Sequence, residues 1–482
     1  MTTETATNQT VGAALRESPA LNAAIETIVD EVTQASSRIT DVRGPIDGQG
    51  SSYEALMARA AEVKGRPLLY PYLGSGAGNG GLVELEDGSV KWDMIGGIGV
   101  HFFGHADPGL VRAAVRSSTE DVVKHGNLQS GFGAYEFGET LLKYARKNSS
   151  LNQCFVTTSG AVANESALKV CYQKHAPASR VLAFKHCFMG RTITMAQIGD
   201  SAGGRVGIPL TTQVDYMPFW NAEAAERVGG KDAFIEHAVW RLRQYAERYP
   251  KQHACFIFEL IQGEGGFNTA PREFFVALMD ECKKLGIAVW DDEIQSFGRT
   301  EGLFAYEMYD LGDYVDVFCV GKMTQACATL FTDEYAPKPG LLSGTFTGAG
   351  VEFATGTQII ERLGSETERY GPDGIHAKHH AEFVRLTRAL ADKHPGWFPK
   401  APFVEDIAGG AGGMMRMTPF GGDKAKIWAA CKHAFDEGVI TFYCGHGPFH
   451  LRMLPPLGVM KLEDWPRVFE CLERALAKAA NG

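Results

Sequence analysis

The chain has 482 residues, of which 45% are hydrophobic and 22% are charged, as in ordinary globular proteins. Its net charge of -10 argues against a general binder of nucleic acids or anionic membranes. The length exceeds what one small core supports and predicts two or three domains, or one large domain with a smaller one appended.

The cysteines and the N-terminus indicate the compartment. The 10 cysteines show no CxxC spacing, and several lie in apolar runs, so we expect reduced and mostly buried thiols. The polar start "MTTETATNQT" lacks the pattern of a secretion signal. No apolar run approaches the roughly 20 residues that span a bilayer. These features predict a cytoplasmic protein.

In chain order, the first 50 or so residues predict a helical leader that ends in a loop, and residues 53–65 predict a short helix. The stretch "GLVELEDGSVKWDM" (81–94) alternates apolar and polar residues on both sides of Asp87-Gly88. Because Asp-Gly is a strong two-residue turn signal, this stretch predicts a β-hairpin.

Short, continuous apolar segments follow, with helical patterns between them. Such strands are typical of an α/β fold whose mostly parallel sheet is covered on both faces. The predicted strands are 152–158, 180–185, 254–261, 286–292 and 316–322. Ligands of such sheets bind beyond the carboxyl ends of the strands, so we expect the chemistry there. From about residue 350, a long helix, a mixed segment and a final helix predict a smaller α+β part.

The first two strand ends carry residues that suit a flat, anionic ligand. Ser159, Gly160 and Ala161 open a helix, where free N–H groups and the helix dipole favour a phosphate; a plain N-cap is the alternative. After the second strand, Phe188 suits stacking on a ring and Arg191 suits a carboxylate. The alternative is a core phenylalanine and a surface arginine.

The next two strand ends are acidic. "ELIQGEGG" places Glu259 and Glu264 on either side of a glycine-rich bend, where a loop with solvated acids is the alternative. "VWDDEIQSFGRT" follows, with three consecutive acids. Extended geometry points Asp292 away from Asp291 and Glu293, so only Asp292 needs a buried cation. Asp291 and Glu293 are then free for structural pairing or solvent.

The last strand ends at Lys322. This lysine is either a surface residue whose stem lies along apolar neighbours or a desolvated amine able to form a Schiff base. A phosphate cradle, a stacking ring, an acid and a lysine on one rim of a sheet are together what pyridoxal 5'-phosphate requires, since it has a phosphate, a ring, a pyridine nitrogen and an aldehyde.

At this point a family resemblance is clear. The order "GVHFFGHADP", "SGAVANESALK", "FMGRT", "ELIQGEGG", "DDEIQSFGRT", "GKMTQ", "GTFTG" and "LRMLPPL" resembles the class III aminotransferases, which are fold-type-I pyridoxal-phosphate enzymes. The resemblance is to the ornithine, acetylornithine, 4-aminobutyrate and lysine 6-aminotransferase group. It implies a large cofactor-binding domain (96–350) and a small domain built from 1–95 and 351–482.

The resemblance also implies roles for the residues that bind the cofactor. Lys322 resembles the lysine that forms the Schiff base and moves the proton, and Asp292 resembles the partner of the pyridine nitrogen. Gln295 resembles the residue at the ring hydroxyl, and Thr345 the threonine that reaches the phosphate from the neighbouring subunit. The phosphate turn and the stacked ring correspond to Ser159, Gly160, Ala161 and Phe188. A homodimer, or a higher homo-oligomer, with its sites at the interface is implied.

Substrate recognition is implied in the same way. Arg452 resembles the arginine that binds the α-carboxylate of glutamate or 2-oxoglutarate, and Glu264 resembles the acid that masks it. Arg191 resembles the arginine that holds the distal carboxylate. Tyr70 or Tyr72 is expected near the mouth of the site. An amino donor and a 2-oxo acid acceptor are thus the expected partners, in a ping-pong transfer of an ω-amine to 2-oxoglutarate.

Two alternatives remain at this point. A pyridoxal-phosphate aminomutase or racemase would return the amine to the same molecule. A metal-dependent hydrolase would use Asp291, Asp292 and Glu293 as oxygen ligands, although no histidine joins them at ligand spacing. The chain also departs from the family pattern: it lacks the usual glycine after Gln295, and Val162 stands where an acid is common. The missing glycine after Gln295 marks the place where we expect the structure to differ most from its relatives.

Overall fold

The computed structural model describes residues 9–121 and 124–481; the first eight residues of the predicted leader lie outside the described residues. A seven-stranded sheet forms the centre of the larger part of the molecule. Its spatial order is Gln153–Thr157, Cys327–Phe331, Val317–Val320, Ala288–Asp292, His253–Phe258, Arg180–Phe184 and Gln213–Met217. Only the second strand in this order runs antiparallel to its neighbours. The predicted α/β class with a mostly parallel sheet is confirmed.

Helices connect and cover these strands. The long ones lie at Pro108–Ser117, Phe132–Ala145, Gly160–Lys174, Lys231–Arg248, Arg272–Leu285 and Gly350–Ser365. The short ones lie at Gly96–Gly99, Ile193–Ile198, Ala222–Arg227, Gly263–Gly266 and Ala305–Met308. Central strands such as His253–Phe258 are buried along their whole length, which explains why their sequences are continuously apolar rather than alternating.

The N-terminal and C-terminal segments share one four-stranded sheet. The predicted hairpin exists: Leu82–Leu85 pairs antiparallel with Val90–Asp93, and Gly74–Asn79 flanks it. On the other side, Val439–Ile440 pairs in parallel with Val90–Asp93. Helices Val11–Arg16, Pro19–Ser36 and Gly50–Lys64 precede this sheet.

A second four-stranded sheet lies in the C-terminal part. Its spatial order is Ala408–Ala411, Met414–Met417, His450–Met453 and Phe442–Cys444. Helices Ile375–Lys393, Lys424–Glu437 and Trp465–Asn481 accompany it. A short two-stranded pair joins Lys124–His125 to Gly348–Ala349. Among the described residues, no helix is both long and apolar enough to cross a membrane.

The turn that carries Lys322 is held against helix Gly350–Ser365. Lys322 begins a 3-10 turn, Lys322–Thr324, with a left-handed φ of 53°. Gly356 of the helix packs directly on this turn, where a Cβ would overlap the carbonyl oxygen of Thr324 and approach Phe137 within 2.7 Å. The absence of a side chain at Gly356 therefore sets the position of the lysine turn.

We expect Gly356→Ala to destabilise the protein by about 1–3 kcal/mol, because backbone atoms cannot move aside as a flexible side chain can. Alanine alone would favour the helix by about 1 kcal/mol, so the sign of the change in melting temperature tests the packing. Gly138→Ala is the matched control, since its Cβ meets nothing closer than 3.6 Å. Equal melting temperatures for the two variants would contradict this account.

Candidate active site

A cavity of about 370 Å³ lies at the carboxyl ends of the parallel strands. It is lined by residues that follow five different strands, which is where the α/β prediction placed the chemistry. Of the residues predicted for the site, those that line it are Ser159, Gly160, Ala161, Phe188, Arg191, Glu264, Asp292, Gln295 and Lys322.

The start of helix Gly160–Lys174 forms one wall. Ser159 is its N-cap, and its hydroxyl accepts a hydrogen bond from the N–H of Val162 at 3.3 Å. The N–H groups of Gly160 and Ala161 precede the first intrahelical donor and point out of the helix. A Cβ on Gly160 would lie 2.9 Å from Ile294, so glycine permits this close packing. The positive end of the helix dipole thus faces the cavity.

Asp292 ends its strand with both carboxylate oxygens engaged. One accepts the N–H of Ile294 at 3.0 Å, and the other accepts the side-chain amide of Asn164 at 2.8 Å. Burial raises the pKa of Asp292 to about 6, against the opposing effects of these two donors and of the nearby Lys322 charge. Asn164 is in turn fixed by a 2.8 Å hydrogen bond to the carbonyl of Met189.

Asp291 and Glu293 are both fully buried on the other side of the strand. Glu293 accepts the N–H groups of Ala305 and Tyr306 at 2.7 and 3.0 Å and so caps helix Ala305–Met308. Burial and the adjacent Glu293 carboxyl raise the pKa of Asp291 well above its ordinary value. Burial of both side chains excludes the solvent-exposed alternative. Glu293 has the structural role of a helix cap, whereas neither carboxyl oxygen of Asp291 has a hydrogen-bond partner among the described residues.

Lys322 lies across the same cavity, at the end of strand Val317–Val320. Burial lowers the pKa of its amine from the ordinary value, and the Asp292 carboxylate partly opposes that shift. A lowered pKa increases the fraction of neutral amine, which is the nucleophilic form. Lys322 is thus the desolvated amine rather than a surface lysine.

Phe188 is positioned through its backbone. Its N–H donates to the Glu259 carboxyl at 3.0 Å, and Glu259 also accepts the N–H of Gly263 at 3.3 Å. Glu259 is 7% exposed, so it is not the solvated loop acid that the sequence allowed. Burial, reinforced by the charge of Asp292, raises its pKa to about 8. Arg191 is exposed at the rim, with its guanidinium 5.2 Å from the centre of the Phe188 ring.

Arg452 is fully buried behind the cavity wall, in strand His450–Met453. Its guanidinium lies 2.8 Å from a Glu264 carboxylate oxygen and between the rings of Phe267 and Phe442. The contact is an ion pair without hydrogen-bond geometry, because Nε, Nη1 and Nη2 of Arg452 have no hydrogen-bond partner among the described residues. Nε and Nη1 are therefore still available to a ligand.

The remaining predicted residues lie outside the cavity of their own chain. Thr345 is exposed and is not among the lining residues. Tyr70 donates to the carbonyl of Thr441 at 2.8 Å and stacks on Phe435. Tyr72 is 36% exposed. Tyr70 therefore packs behind Arg452, since Phe442 contacts both residues.

The sequence analysis assigned no role to Asn164, and it assigned none to Glu259 in positioning Phe188. Asn164 stands four residues after Gly160 on the same helix face, so helical spacing was a usable signal. Glu259 directly follows the fully buried strand His253–Phe258, and an acid at such a place is costly unless it is hydrogen-bonded.

Comparison with known proteins decides the family. Residues 71–476 match the family model "Aminotransferase class-III". The chain belongs to the class III aminotransferases. It is 30% identical over 413 residues to a diaminobutyrate–2-oxoglutarate transaminase of Streptomyces coelicolor, covering 82% of this chain and 91% of the relative. It is 26% identical over 398 residues to a probable 4-aminobutyrate aminotransferase of Bacillus subtilis, covering 79% and 87%.

Solved structures agree on the fold. Lysine aminotransferase from M. tuberculosis in the internal aldimine form superposes with a TM-score of 0.75 at 22% identity, covering 88% of this chain and 99% of that one. A Bacillus anthracis aminotransferase gives a TM-score of 0.76 at 20% identity, covering 89% and 99%. The fold-type-I architecture is thereby shown, and the protein is a pyridoxal-phosphate-dependent aminotransferase.

The cavity residues fit this cofactor. The free N–H groups of Gly160 and Ala161 suit its phosphate, and buried Asp292 suits its pyridine nitrogen. Gln295 has a buried side-chain oxygen without a hydrogen-bond partner among the described residues, which suits the ring hydroxyl. Lys322 suits the aldehyde.

We expect Asp292→Asn to weaken cofactor binding by roughly 100-fold or more, because an unpaired buried charge costs about 3–5 kcal/mol. A cationic ring nitrogen lowers the pKa of Asp292 below about 6, so binding releases a proton below that pH. The contribution of Asp292 to the affinity is then constant well above pH 6 and falls as the pH drops, by at most about tenfold per unit.

Fluorescence titration of the apo-protein with pyridoxal phosphate between pH 5 and 7.5 measures this dependence. Below pH 6, the affinity of Asp292→Asn should change less with pH than that of the wild type. Asp291→Asn is the matched control, since its side chain faces Glu293, and it should retain near-wild-type affinity and slope. Parallel wild-type and Asp292→Asn profiles would contradict the assignment.

Proposed function

We propose that the enzyme transfers the ω-amine of an amino acid, such as 4-aminobutyrate, lysine, ornithine or acetylornithine, to 2-oxoglutarate by a ping-pong mechanism. The observation that carries this proposal is the Arg452–Glu264 pair. A fully buried guanidinium with unused donors is a carboxylate site, and its partner is a partly exposed acid on a glycine-rich turn.

The pair suits two substrates that alternate in one site. With Glu264 on Arg452, the arginine is neutralised, and a donor whose reacting carbon bears no carboxylate is accepted. When Glu264 withdraws, Arg452 is free for the α-carboxylate of 2-oxoglutarate. Arg191, at the opposite rim, holds the distal carboxylate in either case.

Bound pyridoxal phosphate supplies an aldehyde that takes up the amine and a ring that accepts electrons from the carbon losing its proton. Asp292 would keep the ring nitrogen protonated, and Phe188 would pack on the ring. Lys322 is the covalent attachment point. Once released, its amine takes the proton from the donor carbon, which its lowered pKa favours.

A panel of donors with 2-oxoglutarate or pyruvate tests the proposal directly. Formation of glutamate from ω-amino donors, and only with 2-oxoglutarate present, is the expected result. Preference for pyruvate would reassign the acceptor. A product formed without any oxo acid would mean that the amine returns to the same molecule.

We expect Glu264→Ala to slow the half-reaction with 4-aminobutyrate by roughly 10–100-fold relative to that with glutamate, because Arg452 is left buried and unmasked. Stopped-flow measurement of cofactor absorbance gives both rates. Glu437→Ala is the matched control, since Glu437 also pairs with an arginine, Arg474, but away from the cavity. Lys322→Ala supplies the baseline without turnover. An unchanged ratio of rates would remove Glu264 from donor selection.

We also propose that the active protein is a homodimer whose partner supplies Thr345 to the phosphate. Segments 124–129 and 343–349 lie side by side, joined by a 3.0 Å hydrogen bond from the N–H of Asn127 to the carbonyl of Gly344. Apolar side chains stand exposed on and beside them, namely Leu128, Phe132, Tyr135 and Phe346. A contiguous apolar surface of this kind is typical of an interface.

Thr345→Ala is expected to weaken cofactor binding by roughly 10-fold or more, since hydrogen bonds to charged groups contribute about 1.5–3 kcal/mol. The Thr345→Ala variant should remain a dimer, which light scattering would detect as twice the 52.4 kDa chain mass. Ser343→Ala, an exposed neighbour, is the control. A monomeric holoenzyme, or full affinity in Thr345→Ala, would contradict the proposal.

A further inference from the structure

A second cavity, also of about 370 Å³, lies on the other side of the Gly263–Gly266 turn from the active site. Gly263 and Glu264 of the turn line the active-site cavity, whereas Gly265 lines the second one. We call it the Arg416 cavity, after the arginine in its wall. Its volume is within the range of small-molecule sites.

Arg416 is a buried cation without a carboxylate partner among the described residues. Its Nη1 donates to the Asp406 carbonyl and to the Thr418 hydroxyl, both at 3.2 Å, and its buried Nε has no partner among the described residues. The Asp406 carboxylate is instead engaged by Arg388. A buried guanidinium is costly without an anion in contact with it, and no carboxylate among the described residues contacts this one.

The strand register of the C-terminal sheet places a second positive charge next to Arg416. Arg416 is directly opposite Arg452, so both arginines stand on one face of the sheet. Like charges in this position destabilise the strand pair unless anions compensate. Glu264 pairs with Arg452, whereas Arg416 forms no salt bridge among the described residues and is attracted only at longer range by Asp406 and Glu405.

The other walls are polar donors and aromatic rings. His446 is stacked on His186, with ring centres 4.8 Å apart, and His450 is bonded through Nδ1 to the Thr418 hydroxyl at 2.8 Å. Phe219 and Trp220 also line the cavity. No aspartate or glutamate is among the lining residues described. The cavity therefore combines a cationic end with an aromatic wall.

We propose that the Arg416 cavity binds a small organic carboxylate with an aromatic or branched apolar tail, as a site separate from the catalytic one. The carboxylate meets the guanidinium, and the tail lies against Phe219 and Trp220. This inference does not depend on the identity of the amino donor.

A ligand bound in this cavity would contact residues that hold the Glu264 turn in place. The N–H of Gly445 donates to the Glu264 carbonyl at 2.9 Å, and His450 packs on Gly266, where a Cβ would approach its ring within 3.2 Å. Binding is therefore expected to change the rate of the half-reaction that requires Glu264 to move, and to leave the acceptor site free.

Calorimetric titration of the holoenzyme with phenylacetate, against uncharged 2-phenylethanol, tests the proposal. We expect phenylacetate to bind and 2-phenylethanol not to bind. The affinity for phenylacetate should fall at least 10-fold in Arg416→Met. It should be unchanged in Arg388→Met, the matched control, because Arg388 lies at the exposed side of Asp406. Val404→Trp narrows the cavity without altering the buried arginine and should also abolish binding.

Titration with saturating 2-oxoglutarate present separates the two cavities. Retained binding supports the second site, whereas full competition would place phenylacetate at the catalytic arginines and overturn the proposal. Wild-type affinity in both Val404→Trp and a folded Arg416→Met would overturn it as well.

Discussion

The buried carboxylate of Asp292 is the constraint on which the rest of the site depends. Two N–H donors and the Lys322 amine all favour its ionised form, yet burial still raises its pKa to about 6. The protein alone thus leaves this charge incompletely stabilised. A cationic ring nitrogen supplies what is missing, so the electrostatics of this strand end favour a protonated heterocycle.

Much of this arrangement follows from local sequence patterns. Continuous apolar strands indicated a parallel sheet, and the rule that ligands lie at carboxyl ends then brought Asp292 and Lys322 together. The period of two in a strand separated Asp292 from Asp291 and Glu293. What that alternation could not show is where the other two acids go, because the partners of Glu293 are the N–H groups of a helix that begins 12 residues later.

The parts that sequence could not predict depend on packing between distant segments. The support of Phe188 by Glu259 joins residues 71 positions apart, and the Asn164–Asp292 bond spans 128 positions. The register that sets Arg416 opposite Arg452 likewise depends on strand pairing across the C-terminal sheet. Thr345 does not line the active-site cavity of its own chain. The role predicted for it therefore depends on a second copy of the chain, whose packing local sequence patterns do not encode.

The turn that carries Glu264 connects these observations. Its glycines allow backbone conformations that other residues rarely adopt, and Gly266 has a φ of 127°. A Cβ on Gly263 would meet the Gln295 side chain at 2.5 Å, so the turn is also packed tightly against the cofactor side. Close packing of this kind would restrict any movement of the turn to a few discrete positions. Because one cavity lies on each side of the turn, the proposed withdrawal of Glu264 from Arg452 would depend on the charges in both cavities.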